Sequence, residues 1–316
     1  MENNSIAYHY TTLAGLYGII TSKSLLLTSL HAMNDSIEGG YTPERFLEDF
    51  NGIKYPDEKT KIFFKTLLNN IDEDRNKFFE LCKRDSEPYS ICFSSKEDSL
   101  SHWERYADDL TGVCISFDLE ELQKQSFPLF NEFSIREIIY SDEDRSKTIG
   151  TVVVNMYNEM FGYLSKKDKN LAKNNFVEIM TKNSCSHLAA IYLSMIYFIK
   201  NKYWNEENEI RLLYDDSNWK ENLNLIRKIK EEDGIDLENE YIQNHEDLGL
   251  NKKEFKKLTS IRACRRLSLE RIWSEKLIPE IKIGSKSSQS IADLRAFLNE
   301  NKLEGTKITE SKIKIR

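Results

Sequence analysis

The chain has 316 residues, of which 40% are hydrophobic and 31% charged, with only five prolines and twelve glycines. That composition belongs to globular proteins with a sizeable core and excludes collagen-like, linker-dominated and disordered chains. A formal net charge of −7 excludes a whole-protein electrostatic grip on nucleic acid, leaving that role only to a local basic patch.

The first predicted element is a short strand, Ile6 to Tyr10. Thr11 or Thr12 can then cap a helix whose Leu13, Leu16, Tyr17 and Ile20 recur at helical spacing. Leu25 to Thr28 returns as a strand, and Asn34, Asp35 and Glu38 follow in a turn, where Asp35 and Glu38 have the spacing of a capping box. Residues 43 to 84 carry two helical patterns, the second marked by Phe63, Phe64, Leu67, Leu68 and Ile71. Tyr89 to Ser95 is the next strand, Leu100 to Ala107 is helical, and Gly112 to Phe117 is an apolar strand. Asp118 can cap a helix through Gln125. From Glu143 to Lys200 the pattern is helical, broken near 165–170, and its apolar run Ala189 to Ile199 is well short of the roughly 20 residues that span a bilayer.

Glu207 to Tyr214 is predicted as a strand with Glu207, Glu209 and Arg211 on one face, because strand side chains alternate with period two. Residues 219 to 260 are highly charged and read as an exposed helix and loop. Arg266 to Ile272 and Pro279 to Ile283 read as strands, Gly284 ends the second, and a helix from Ser290 to Asn299 and a strand from Lys307 to Ile315 complete an α+β pattern. The chain is read as a single domain, 1–316, with helical insertions at about 43–84 and 143–200 and a charged segment at about 219–260. Five scattered cysteines without a Cys-x-x-Cys pair, and a polar start from Met1 to Ala7, lead to the expectation of a reduced, cytoplasmic protein with no membrane partner.

Three blocks carry candidate chemistry. In the first, His9 is either a hydrogen-bonded core histidine or the donor to a ribose hydroxyl, with Tyr10 supplying backbone and Thr11 bonding a carboxamide. In the second, Cys92, Phe93, Ser94 and Ser95 lead to Ser101, Trp103 and Tyr106. These are either a strand feeding an amphipathic helix with core aromatics, or hydroxyls at a strand-to-helix turn with an aromatic ring able to stack on a flat ligand. The third is Trp204 with Glu207, Glu209 and Arg211, either a surface strand laced with salt bridges or a fixed carboxylate that stabilises oxocarbenium character in a transition state. Lys252, Lys253, Lys256, Lys257, Arg262, Arg265 and Arg266 form a basic stretch, a solvated face or the 252–266 patch that holds RNA or DNA. Nucleotide-binding glycine loops, hydrolase elbows and metal-binding His or Cys spacings do not occur in the sequence, so no metal is expected.

The succession Tyr8-His9-Tyr10-Thr11, Asn34-Asp35 with Glu38, Cys92-Phe93-Ser94, Trp103 with Tyr106, Gly112-Val113-Cys114-Ile115, and Trp204 with Glu207, Glu209 and Arg211 resembles a bacterial domain-of-unknown-function family. The Ile281 to Gly284 strand also fits that family's ending. The family in turn resembles the ADP-ribosyltransferase superfamily, including its DarT-like and diphtheria-toxin-like branches. The resemblance implies an ADP-ribosyltransferase-like split mixed or antiparallel sheet core with large helical insertions, and NAD as co-substrate. It also implies His9, Tyr10 and Thr11 in the first NAD-binding motif, Ser94 or Ser101 with Trp103 and Tyr106 in the second, and Glu209 as the catalytic carboxylate preceded by Glu207, with Arg211 alongside. Tyr10 departs from the glycine of the toxin-like branch. The expected activity is ADP-ribosyl transfer to nucleic acid or protein by a toxin or antiphage effector, with an antitoxin or immunity protein as a further partner. The competing readings are an NAD glycohydrolase, a magnesium-dependent nuclease built from Asp35, Glu38, Glu207 and Glu209, and a non-catalytic interaction module.

Overall fold

The computed structural model describes residues 5–30, 41–55, 57–83, 87–125, 133–167, 184–234, 236–250, 252–257 and 261–313. The turn containing Asn34, Asp35 and Glu38 lies outside the described residues, as do 168–170 of the break expected near 165–170, while 165–167 are still helical. The chain divides into two compact units, one formed by 1–35, 86–137 and 206–316, the other by 36–85 and 138–205. The second unit brings together the two helical stretches read from the sequence as separate insertions.

Unit 1 is built on a mixed, open sheet. Its strands are β1 (Ile6–Thr11), β2 (Ser24–Ser29), β3 (Pro88–Ser94), β4 (Val113–Asp118), β5 (Phe133–Glu137), β6 (Glu209–Asp215), β7 (Lys253–Lys257), β8 (Ile261–Ser268), β9 (Glu280–Ile283) and β10 (Lys307–Glu310). The order is β10-β9-β4-β1-β3-β2-β8-β7, with β6 added to β3 and β5 to β6. Every pairing is antiparallel except β10 with β9. The sheet forks at β3. One edge of β3 pairs with β6 along its whole length, from Pro88↔Asp215 to Ser94↔Glu209. The other is shared between β2 at Thr28↔Ser90 and Ser29↔Tyr89, and β1 at Tyr8↔Ser94.

Period-two alternation gives this sheet two unlike faces. Ala7, Leu25, Leu27, Tyr89, Ile91, Phe93, Val113, Ile115, Phe117, Ile210, Leu212, Tyr214, Leu267, Ile281 and Ile283 project to one side and form a single apolar core. Helix α1 (Leu13–Ser22) covers it with Leu16, Ile19 and Ile20, starting at Thr12, whose side chain accepts from Gly15 N. The alternating partners Ser90, Cys92, Ser94, Glu209, Arg211 and Lys282 project to the opposite side. There the helix that follows β3, Leu100–Tyr106, lies against β1 in a small cluster with Tyr8, Tyr10, Trp103, Ala107, Leu110 and Cys114.

Unit 2 contains α2 (Pro43–Asn51), α3 (Glu58–Glu73), α4 (Arg75–Leu81), then α5 being the site helix Leu100–Tyr106 and α6 the short Leu119–Gln123 of unit 1, followed by α7 (Asp142–Lys167) and α8 (Ser184–Met195). Its core is aromatic, with Phe46, Phe50, Phe63, Phe64, Phe78 and Tyr192 fully or nearly buried. Asp49 and Arg145 are buried beside them as an ion pair at 2.8 Å, and Tyr41 donates its hydroxyl to Asp49. No helix among the described residues is long and apolar enough to cross a membrane, and all five cysteines are free thiols.

Four expectations from the sequence are corrected. Glu207 is not in the strand with Glu209: it ends a 3-10 helix, Lys202–Glu207, and Asn208 follows in the left-handed region at φ 43°, so the strand begins at Glu209. Asn is among the few residues that adopt this conformation readily, and the resulting turn breaks the period on which the three-residue face was predicted. The charged segment expected as helix and loop to residue 260 ends instead in strand β7, and the strand expected from Arg266 to Ile272 is β8, 261–268, followed by a 3-10 turn at Glu270–Ile272. Charge density hid a two-stranded ladder that carries Lys and Arg on both of its faces. The terminal strand stops at Glu310.

Gly284 shows why the β4–β9 junction is tight. A Cβ built on it would lie 2.1 Å from Leu110 O, while its own N–H donates to Gly112 O. Since the obstruction is backbone, it cannot be relieved by a rotamer change. Gly284→Ala is therefore expected to destabilise unit 1 by about 2 kcal/mol or more, seen as a lower urea midpoint. An unchanged midpoint would show that the loop at Leu110 yields freely.

Candidate functional site

The polar side of the sheet is where the chain spends free energy on something other than packing. Glu207, Glu209 and Arg211 are only 6%, 4% and 5% exposed, and a buried charged pair contributes little net stability compared with an apolar pair of the same volume. Ser94 organises the group. It faces Glu209 across the β3–β6 ladder, its hydroxyl donates to Glu207 O at 2.8 Å, and it accepts Lys96 N. Arg211 donates to Glu209 Oε1 through Nε and Nη2, both at 2.8 Å. Burial opposes the Arg211 charge, but Glu209, with Cys92 behind it, holds the guanidinium above its ordinary pKa.

Helix α5 supplies the other wall. His102 lies on its buried side with Nε2 3.0 Å from Glu207 O and Nδ1 2.9 Å from Ser99 Oγ. A carbonyl can only accept, so Nε2 carries the proton and Nδ1 accepts from Ser99. Ser99 stands at the N-cap of α5 but makes no side-chain cap bond; its hydroxyl is committed to His102 and to Ser101 Oγ at 3.1 Å. One turn on, the Tyr106 hydroxyl donates to Glu207 Oε1 at 2.6 Å, and Arg105 Nη1 stands 3.9 Å from the same oxygen. Tyr106 is 44% exposed, so the Glu207 carboxylate sits under an aromatic residue that solvent reaches.

The three sequence blocks do not all converge. Ser94, Ser101, Tyr106, Glu207, Glu209 and Arg211 are brought together. His9 is not with them: it pairs with Ile115 in register, stands edge-on to Phe93 at 5.9 Å, and its Nδ1 donates to Cys92 O at 3.0 Å. Phe93 and Ile115 belong to the apolar core, so His9 faces away from Glu209, half-buried beside that core. Thr11 projects to the same side, where it packs against Gly15 of α1. From the first block only Tyr10 faces the site. Its ring lies 5.0 Å from His102, and its hydroxyl donates to Lys96 O and accepts Ser99 N. Trp103, expected among ligand-contacting residues, is fully buried with Nε1 bonded to Asp98 at 2.7 Å, so its ring has no face left for a ligand. Trp204 belongs to unit 2, where Lys200 Nζ stands 4.8 Å from its ring centre.

The basic stretch is divided by the β7–β8 hairpin. Lys253 pairs with Arg265 on one face and Lys256 with Arg262 on the other. Lys253 is bonded to Glu87 at 2.6 Å, Arg265 lies over the Tyr89 ring, and Arg266 holds Glu254. It is therefore not one continuous phosphate-binding surface. Among the described residues, no group of three or more His, Cys, Asp or Glu is placed to hold a metal ion.

A domain of a family described as a protein of unknown function (DUF2971) is found at residues 102–212. It begins at His102 and ends one residue past Arg211, so it encloses Tyr106, Glu207, Glu209 and Arg211 and leaves out His9, Ser94 and Ser101. No curated protein and no solved structure matches the chain. Ser99, His102 and Arg105 are site residues absent from the sequence-derived set, and His102 is the one bonded to the Glu207 main chain. Its only local signal is the Ser-x-x-His spacing of Ser99 and His102, which resembles an ordinary helix start.

Two outcomes follow from this geometry. Glu209→Gln removes the carboxylate from a buried guanidinium and is expected to cost about 3–5 kcal/mol of stability, measured by denaturant unfolding; a loss below about 1 kcal/mol would mean Arg211 is satisfied without it. Burial lowers the pKa of both His9 and His102 below the ordinary 6.5, partly offset by their bonds to Cys92 O and Glu207 O. Both are neutral when folded, so their stability contribution is intact above about pH 6.5 and is lost as pH falls from there toward the lowered values, because the unfolded chain binds the protons first. His9→Gln and His102→Gln should each flatten that acid limb in urea titrations at pH 5 to 7, and an unaltered limb in both would refute the assignment.

Proposed function

We propose that unit 1 is an NAD-consuming ADP-ribosyltransferase whose reactive carboxylate is Glu207. The observation that carries this reading is the Glu207 carboxylate, buried to 6% exposure yet bonded at 2.6 Å to the hydroxyl of the half-exposed Tyr106. Breaking the nicotinamide–ribose bond sends its electron pair to nicotinamide and leaves positive charge shared by C1′ and the ring oxygen. A fixed carboxylate in a poorly hydrated site stabilises that charge where it arises. The acceptor then bonds C1′ and releases its proton, completing transfer of ADP-ribose.

Glu207 suits this role better than Glu209. Two N–H groups of Arg211 already neutralise Glu209, so less of its charge is available to a cationic ribose. Glu209 with Arg211 serves as a buried anchor for the start of β6. The Tyr106 ring offers a flat surface for nicotinamide, and Arg105 beside it is suited to a phosphate oxygen. Ser94 and Ser101 act from behind, through Glu207 O and Ser99. His9 and Thr11, on the other face, take no direct part in binding.

The test is incubation of the protein with labelled NAD and total cell extract, followed by separation of protein, RNA and DNA. Label is expected in one fraction, with Glu207→Gln reducing NAD consumption on the order of a hundredfold or more and Tyr106→Phe reducing it about tenfold. Release of free ADP-ribose with no labelled fraction would make the protein an NAD glycohydrolase. NAD left intact by the folded wild-type protein in every fraction, or consumed equally by Glu207→Gln, would overturn the reading.

A further inference from the structure

We infer that His102 is a positioning residue that sets the Glu207 carboxylate by holding its main chain; this rests on the proposed role of Glu207. The Glu207 carbonyl lies at a turn between a 3-10 helix and β6, where Ser95 N–H already bonds the next carbonyl, that of Asn208, at 2.9 Å. Two side chains from different elements bond the Glu207 carbonyl itself. Ser94 Oγ, at the end of β3, and His102 Nε2, on α5, donate to the same oxygen at 2.8 and 3.0 Å. The peptide plane is therefore fixed from two directions, and the side chain leaving its Cα is directed to Tyr106.

The rest of the network fixes the ring. His102 Nδ1 accepts from Ser99, Ser99 Oγ is in turn bonded to Ser101, and Ser99 N–H is bound by the Tyr10 hydroxyl, whose ring packs on the imidazole. Because Nδ1 is committed as an acceptor, the tautomer that donates from Nε2 is selected. Tyr106 and His102 share one short helix with ring centres 5.8 Å apart. The same helix thus holds both ends of Glu207, the carbonyl through His102 and the carboxylate through Tyr106. The imidazole carries donor and acceptor on opposite sides of one rigid ring, but the bond that sets Glu207 is made from the Nε2 side. This separates two near-isosteres: a glutamine amide reaches the Nε2 position with an N–H, whereas an asparagine amide reaches only as far as Nδ1.

The experiment compares wild type, His102→Gln, His102→Asn and Tyr106→Phe. NAD consumption gives kcat and KM, and the 13C carboxyl resonance of Glu207 in labelled, folded protein reports the carboxylate's setting without any reaction. His102→Asn is expected to lower kcat about thirtyfold, with KM within about twofold, a loss on the scale of one misdirected catalytic contact. It should also move the Glu207 resonance as far as Tyr106→Phe does. His102→Gln should recover most of kcat and restore the resonance. If wild type leaves NAD intact, the functional reading fails, and the resonance alone decides whether His102 sets Glu207. If His102→Asn leaves the resonance in place, or if glutamine and asparagine disturb it equally, the positioning role is overturned.

Discussion

Strand β3 commits one edge to β6 and divides the other between β2 and β1, and the geometry of unit 1 follows from that fork. A strand has only two edges, so a third neighbour can be accommodated only where one partner ends and another begins. Here the change of partner leaves Ser94, the last residue of β3, between Tyr8 and Glu209. Its hydroxyl then lies within reach of the turn that carries Glu207. A slip of β6 by one residue against β3 would turn Glu209 and Arg211 into the apolar core and bring Ile210 and Leu212 out of it. The core on one face therefore secures the register that the polar face requires.

The two faces are held by different physics. Apolar burial supplies the driving force on the side of Phe93, Phe117 and Leu212, at about 25 cal/mol per Å². On the other side, desolvation of Glu209 and Arg211 is roughly offset by their mutual attraction and adds little to stability. What that side supplies is direction. Glu207, Ser94, His102, Ser99 and Tyr10 each hold a bond that fixes another member's orientation, and such networks lose more than a single bond when one member is removed.

Unit 2 obeys a simpler rule. Its segments 36–85 and 138–205 interrupt unit 1 in sequence between β2 and β3 and between β5 and β6. Phe46, Phe64 and Phe78, from three different helices, meet in a single aromatic core. Leu188, Tyr192 and Met195 of the second segment join that core, so the two segments bury their apolar faces against each other.

The sequence by itself determined the local elements whose cause is local. The helix after Thr12, the cap at Asp118, the helix after Ser290 and the alternating strands at β3 and β4 all stand where their residues place them, because capping and period-two burial act over a few residues. Tertiary structure decided which candidates share a face. His9 and Tyr10 are adjacent in sequence but point to opposite sides of the sheet, so the histidine lies half-buried beside the apolar core and the tyrosine joined the site. Glu207 and Glu209 kept their spacing but lost their common strand to a single left-handed residue, Asn208. The 3-10 turn could still keep Glu207 near Glu209 because Ser94 and His102, from β3 and α5, bind its carbonyl. No local pattern encodes that, since hydrogen bonds between residues about a hundred positions apart depend on the pairing of whole strands.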